Sequence, residues 1–188
     1  MVIAGIDEAG RGPLAGPVVC ACVIMPLNKC DVIEGINDSK KLTEKKREGL
    51  FQQILDKAIA YSIVAVDEKT IDEINILNAT KLGMKKAFES LSVSPDIMLI
   101  DAVKLDIDCQ QENIIKGDSL SYNIASASIL AKVYRDHLMK EYDEKYPEYQ
   151  FAKHKGYGTK VHIEMLKTYG ESPIHRQTFI KNFIKKAE

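Results

Sequence analysis

The chain has 188 residues, enough for one domain of ordinary size or one domain with a short appendage and too few for two full domains. Hydrophobic residues make up 45% and charged residues 28%, which supports a sizeable core and excludes disordered, collagen-like and coiled-coil chains. Lys and Arg number 26 against 27 Asp and Glu, a formal charge of -1, so composition alone does not mark a nucleic-acid binder.

Residues 2–6 form a short apolar run that ends in Asp7 and Glu8 and meets a glycine cluster, the pattern of a strand delivering carboxylates at its end. Residues 17–25, PVVCACVIM, are nearly continuously apolar, as in a strand covered on both faces, and pair with the first as a hairpin. Thr43 can cap a helix running to Asp56, with Leu50, Phe51, Ile54 and Leu55 on its apolar stripe. A strand over 59–66, a helix from 78 or 79 to 91, and a strand over 97–101 ending in Asp101 follow. Residues 113–116 are too short to assign. The longest helical pattern, 119–142, opens in Ser and Ala, whose small side chains allow close backbone packing. Asp118 stands at its start and suits its cap.

From Tyr146 the texture changes to HKGYGT, a helix over 160–168 and a basic tail, read as a segment appended to a core of residues 1–145. Between Gln150 and Lys186, eight Lys and Arg face two Glu, a surplus of six positive charges that leaves the rest of the chain at -7. Strands mixed with helices of ten or more residues imply an α/β or α+β fold on a mixed sheet. No apolar run approaches the roughly 18 residues that cross a bilayer, and no leader pattern opens the chain, so a cytoplasmic address is expected. Cys20, Cys22, Cys30 and Cys109 lack metal-ligand spacing and read as free thiols.

Four acids at element ends, Asp7, Glu8, Asp101 and Asp118, with no Cys or His beside them suit hard, oxygen-loving cations such as Mg2+ or Mn2+. Taken singly, each is better read as a solvated side chain or a cap than as a metal ligand; only the set is informative. Gly5, Gly10, Gly12 and Gly16 match neither a P-loop nor a dinucleotide fingerprint. Around Arg11, Gly10 and Gly12 would expose main chain that a ligand can approach, although the cluster by itself is better read as a plain turn between strands. His154 reads as a cap of local structure, Lys132 and Arg135 as facing a groove or solvent, and Tyr142, Tyr146 and Tyr149 as packing.

GIDEAGRGPLAGPV at 5–18, NDSKKLTEKKRE at 37–48, KGDSLSYNIASASILAKVYRD at 116–136, and YPEYQFAKHKGYGT with HRQTF at 146–179 resemble bacterial ribonuclease HII over essentially the whole chain. The resemblance implies an RNase H-like fold: an α/β domain over 1–188, with a mixed central sheet flanked by helices and a C-terminal helical segment, 146–188, that completes a substrate groove. It implies hydrolysis of the RNA strand of RNA-DNA hybrids and nicking 5' of single ribonucleotides in duplex DNA. The chemistry would use two divalent cations, Mn2+ or Mg2+, and leave 3'-hydroxyl and 5'-phosphate ends. Asp7, Glu8, Asp101 and Asp118 match the metal-binding catalytic acids; Gly10, Arg11 and Gly12 match the loop that senses the 2'-hydroxyl; Tyr157 matches the tyrosine at the RNA-to-DNA junction. Lys40, in a loop, is a candidate phosphate contact. Ala102 stands where Gly is expected after the third acid, and Asn123 and Ser126 also depart from the expected pattern.

This chemistry is physically coherent. Two cations about 4 Å apart stabilise both the attacking water and the leaving oxygen of an in-line displacement. Main-chain groups can distinguish ribose from deoxyribose through the 2'-hydroxyl, a donor and acceptor. The basic segment supplies phosphate contacts away from the acids. The partners implied are RNA-DNA hybrid and ribonucleotide-containing duplex, with no membrane and a monomer as the default. Two other readings compete: a type HIII ribonuclease, whose extra N-terminal domain has no room before a strand starting at residue 2, and a non-catalytic hybrid-binding module. Such a module would have no reason to gather acids beside phosphates.

Overall fold

The computed structural model describes residues 1–37, 39–101 and 103–184; Asp38, Ala102 and the tail lysines Lys185 and Lys186 lie outside the described residues. Five strands form one mixed sheet in the order β3-β2-β1-β4-β5. β1 (Ile3–Ala9) is antiparallel to β2 (Val18–Ile24), β2 is antiparallel to β3 (Ala60–Val66), and β1 and β5 (Gln110–Asn113) flank β4 (Ile97–Ile100) in parallel. The expected hairpin and the strands near 59–66 and 97–101 are therefore present.

Every residue of β2 is buried, which explains its unbroken apolar sequence. Its side chains alternate between two layers. Cys20, Cys22 and Ile24 join Met84 and Ala87 of α2 (Glu68–Glu89) on one face. Val19, Ala21 and Val23 join Leu50 and Ile54 of α1 (Glu44–Lys57) and Ala127, Leu130 and Ala131 of α4 (Tyr122–Lys145) on the other. The sheet is thus sandwiched between helices, with its core on both sides.

Thr43 caps α1 as its sequence predicts, accepting from the Lys46 amide at 3.3 Å. α2 begins ten residues earlier than expected. Asp67 caps its charged first half, and a kink at Asn75, with φ of 66°, starts a second half near the expected position, where Asn75 accepts from the Asn78 amide. The first half, EKTIDEIN, carries too few apolar residues to show a stripe. β5 (QQEN) carries no sequence signal for the same reason, since an exposed polar edge strand has no hydrophobic period.

The Ser/Ala-rich opening of α4 has the anticipated use. At Gly5 on β1, any Cβ would overlap the main chain of Asn123 and Ile124, so strand and helix touch backbone to backbone. Asn123 is buried and accepts from the Met25 amide at 2.9 Å, a role that accounts for an amide among small residues. One expectation is corrected here. The long helix does not begin at Asp118, because Ser121 is extended, divides a short α3 (Gly117–Leu120) from α4, and itself caps α4 through the Ile124 amide. Asp118 is a first-turn residue of α3, and its carboxylate accepts from the Ser119 hydroxyl at 3.5 Å rather than serving as the N-cap.

After a Pro147–Tyr149 turn come α5 (Phe151–His154), α6 (Lys160–Tyr169, capped by Thr159) and α7 (Gln177–Ile180). Tyr149 and Phe151 are buried with Ala15, Met139 and Ile174, and Tyr142 and Tyr146 pack against them, so the tyrosine cluster is packing. Among the described residues no helix is long and apolar enough to cross a membrane. All four cysteines are free; Cys20 and Cys22 are buried, and Cys30 is exposed.

Candidate active site

β1 runs three residues past the apolar run that ends at Ile6, so Asp7 and Glu8 lie within the strand rather than at its end. Both still open onto one cavity of about 280 Å³, together with Ala9, Gly10, Arg11, Gly12, Ser39, Lys40, Ser128, Lys132 and Tyr157. The Ser128 hydroxyl from α4 bonds Asp7 and lies 2.8 Å from the Ser39 hydroxyl, which ties the acid to the helix layer. Glu8 sits 3.5 Å from the Arg11 guanidinium. Burial, and then the charge of Glu8, pushes the Asp7 carboxyl up to about 8, with Asp118 adding to the push.

Asp101 is placed by register. Ile100 pairs with Ile6 in parallel strands, so the next residue along each strand sets Asp101 beside Asp7. Asp118 lies 4.0 Å from Lys40 and borders an adjoining hollow of about 210 Å³ with Asn37 and Tyr122. The cavity wall therefore holds Asp7, Glu8, Gly10, Arg11, Gly12, Lys40 and Tyr157, whereas Asp118 stands at its margin and Asp101 next to it along the sheet. Among the described residues no three His, Cys, Asp or Glu side chains are close enough to form a finished metal cage. The donor set nevertheless fits a hard cation: it is all carboxylate oxygen, and no ion pair joins the buried Asp7 to a cationic side chain among the described residues.

Sequence reasoning missed what lies beneath the glycine loop. Arg135 and Arg176 are fully buried. Arg135 donates to the carbonyls of Pro17, Ala15 and Lys155 at 2.9, 3.1 and 2.9 Å, so it faces neither groove nor solvent. Arg176 donates to Gly16, Arg11 and Gly10 at 2.9, 3.0 and 2.6 Å. Burial pulls both guanidiniums below the usual arginine range, to about 10 and about 9, which leaves them charged at neutral pH. Gly10 must be glycine twice over: its φ is 96°, and a Cβ would strike the Arg135 side chain. Gly12 differs, since a Cβ there would meet only Tyr157 Cε1, at 3.8 Å. Nothing in the fold requires glycine at that position.

Tyr157 projects from the HKGYGT turn and is 44% exposed as a residue, with Arg135 5.9 Å from the ring centroid. Its main chain is fixed by imidazoles. His154 accepts the Gly156 amide and bonds the Tyr149 carbonyl, which confirms a local structural role. His162 Nδ1 donates to the Tyr157 carbonyl at 2.9 Å, so its Nε2 accepts from His175 Nε2 at 3.0 Å, and His175 Nδ1 accepts from Ser172.

This chain of bonds requires neutral rings. Burial lowers His162 and His175 to about 4, so the native protein binds fewer protons than the unfolded chain between about pH 4 and 6.5. Stability from this pair is complete above pH 6.5 and falls as the pH drops toward 4, by at most about 1.4 kcal/mol per pH unit for each ring. Asp7, raised above its unfolded value, acts in the opposite sense over the same range. Urea unfolding at pH 7 and pH 5 is expected to show lower stability at pH 5, with a flatter dependence in His175→Gln; equal slopes in the two proteins would contradict neutral imidazoles.

Comparison with known proteins agrees with this architecture. The family model described as Ribonuclease HII matches residues 4–182. The chain is 62% identical over 184 residues to a ribonuclease HII of Acetivibrio thermocellus, covering 97% of this chain and 71% of that protein. It is 55% identical to one of Caldicellulosiruptor saccharolyticus, covering 97% and 89%. Among solved structures, the ribonuclease H2 of Pyrococcus horikoshii superposes with a TM-score of 0.81 at 30% identity over 97% of both chains. The ribonuclease HII of Archaeoglobus fulgidus, solved in complex with PCNA, superposes at 0.80 with 26% identity over 94% of both chains. Structures of ribonuclease HIII share the fold at 17% identity. With acids on adjoining strands, a glycine loop across the cavity and a family match along nearly its whole length, the chain belongs to the ribonuclease HII family of RNase H-type endoribonucleases.

Proposed function

We propose that the chain hydrolyses RNA in RNA-DNA hybrids and nicks duplex DNA on the 5' side of an embedded ribonucleotide, leaving 3'-hydroxyl and 5'-phosphate ends. The observation that carries this reading is one cavity lined by the acids of β1, the Gly10–Arg11–Gly12 loop and Tyr157. Family membership sets aside the type HIII alternative, and a hybrid-binding module would not need a buried carboxyl held against two like charges.

Asp7, Glu8, Asp101 and Asp118 would hold two divalent cations, Mn2+ or Mg2+; when bound, these lower the pKa of a water and neutralise charge on the leaving oxygen. The protein's own part is placement. Ser128 orients Asp7, and the register of β1 and β4 fixes the spacing of two acids. Lys40 and Lys132 at the cavity wall are suited to phosphate oxygens, and the basic segment beyond Tyr146 extends the same attraction. The core 1–145 and the segment 146–188 act as one domain, working as a cytoplasmic monomer.

The unused space at Gly12 supports substrate approach to the main chain. Gly12→Ala is expected to leave the melting temperature within a degree or two, since the added methyl meets only Tyr157 at an ordinary contact distance. It should lower kcat/KM on a single-ribonucleotide duplex roughly tenfold or more, by displacing the ribose from the loop. An unchanged kcat/KM would remove the loop from the substrate site. The proposal as a whole is tested by incubating the protein with Mn2+ or Mg2+ and a duplex carrying one ribonucleotide, with mapping of the ends.

A further inference from the structure

We propose that Arg176 is the positioning residue for recognition of the ribose 2'-hydroxyl, acting through the peptide planes on either side of Arg11; the inference rests on the substrate reading above. Its guanidinium binds the Gly10 and Arg11 carbonyls with its two terminal nitrogens, at 2.6 and 3.0 Å, and the Gly16 carbonyl with Nε at 2.9 Å. A fork of rigid donors can fix two successive peptide planes at once, which the single point charge of a lysine cannot.

The consequence lies on the opposite edge of each plane. All peptide bonds among the described residues are trans, so each carbonyl is antiparallel to the N–H that follows it. With both carbonyls turned inward onto a buried guanidinium, the N–H groups of Arg11 and Gly12 turn away from it, toward the cavity that these residues line. Neither N–H is hydrogen-bonded to another described residue. They are two aligned donors beside a position where a Cβ is absent without structural need. The positive charge below polarises both carbonyls and strengthens both donors.

Arg176 itself touches no substrate. It is held from the far side: its own amide bonds the Leu14 carbonyl at 2.9 Å, and Asp72 on α2 accepts the amides of Gln177 and Thr178 at 2.7 and 2.9 Å. The C-terminal segment therefore enters the site as a floor for the loop as well as a source of phosphate contacts.

The test compares affinity for a duplex with one ribonucleotide against the same all-deoxy duplex, in Ca2+ to bind without turnover. In Arg176→Gln the preference for the ribonucleotide duplex is expected to fall roughly five- to tenfold, the scale of one or two hydrogen bonds, with affinity for the all-deoxy duplex unchanged. Arg176→Lys, which keeps the charge but not the fork, should fall between wild type and Gln, and it carries the test alone if Arg176→Gln does not fold. A preference that survives in the folded variant, or an equal loss on both duplexes, would overturn the inference and make Arg176 purely structural. Failure of the substrate reading would be distinct: the wild-type protein would leave the ribonucleotide duplex uncut.

Discussion

Asp7→Asn is expected to abolish turnover almost completely while leaving the protein folded and, in metal-free buffer, more resistant to heat. The two effects have one cause. Asp7 is a buried carboxyl beside Glu8 and near Asp118, pushed up to about 8, so at neutral pH the fold bears the cost of its unfavourable surroundings. Asn keeps the shape, and its amide can still meet the Ser128 hydroxyl, but it removes the charge a divalent cation needs. Loss of charge stabilisation worth several kcal/mol corresponds to at least about a hundredfold in kcat. The stability gain should shrink as the pH falls from about 8 toward 4 and vanish below about 4, where the carboxyl is protonated in the folded and unfolded chain alike. Normal turnover by Asp7→Asn at saturating Mn2+ would contradict the assignment, and a lower melting temperature would show that the carboxyl is structural.

Tyr157→Ala is expected to reduce kcat/KM on a single-ribonucleotide duplex by roughly 5- to 150-fold, the span of a stacking contact worth about 1 to 3 kcal/mol. The ring sits across from Gly12 and the residue is nearly half exposed, so little packing is lost with it. Its main chain is anchored independently by His154 and His162, which should keep the turn in place in the variant. The ring contact with Arg135 at 5.9 Å is lost in the variant, at a cost of about 0.5 to 1 kcal/mol. Cleavage of an all-RNA hybrid should suffer less, because no RNA-to-DNA step is being read. Equal losses on both substrates together with a lowered melting temperature would show that the junction is sensed elsewhere.

What the sequence made legible follows from which interactions are local. The apolar runs of β1 and β2, the caps at Thr43 and Thr159, and the small residues of α4 all act within a few positions or on one face, and each is readable from spacing. β5 and the first half of α2 were not readable, because polar elements are held by neighbours rather than by their own pattern. Asp118 suits a cap by residue type, but the break at Ser121 transfers that role by three residues. The acids and the glycine loop stood out through their density and resemblance. Their support did not: Arg176 reaches Gly10 and Arg11 across 166 and 165 positions, and the His162–His175 bond depends on the return of a loop. An unpaired arginine in a basic tail looks solvated until the fold closes over it. A clue was available in HRQTF, which sets His175 and Arg176 side by side, but residue order alone does not say that one serves Tyr157 and the other the glycine loop.

The central claim is that one cavity joins a carboxylate metal site to a ribose-reading loop. It is tested most directly by end-mapping on a duplex with one ribonucleotide, with wild type and Asp7→Asn in parallel, each with and without Mn2+. The account predicts a single wild-type nick on the 5' side of the ribonucleotide, with 3'-hydroxyl and 5'-phosphate ends, dependent on Mn2+ and absent in Asp7→Asn. Tight binding without a nick, or a nick that persists without metal or in Asp7→Asn, would contradict it.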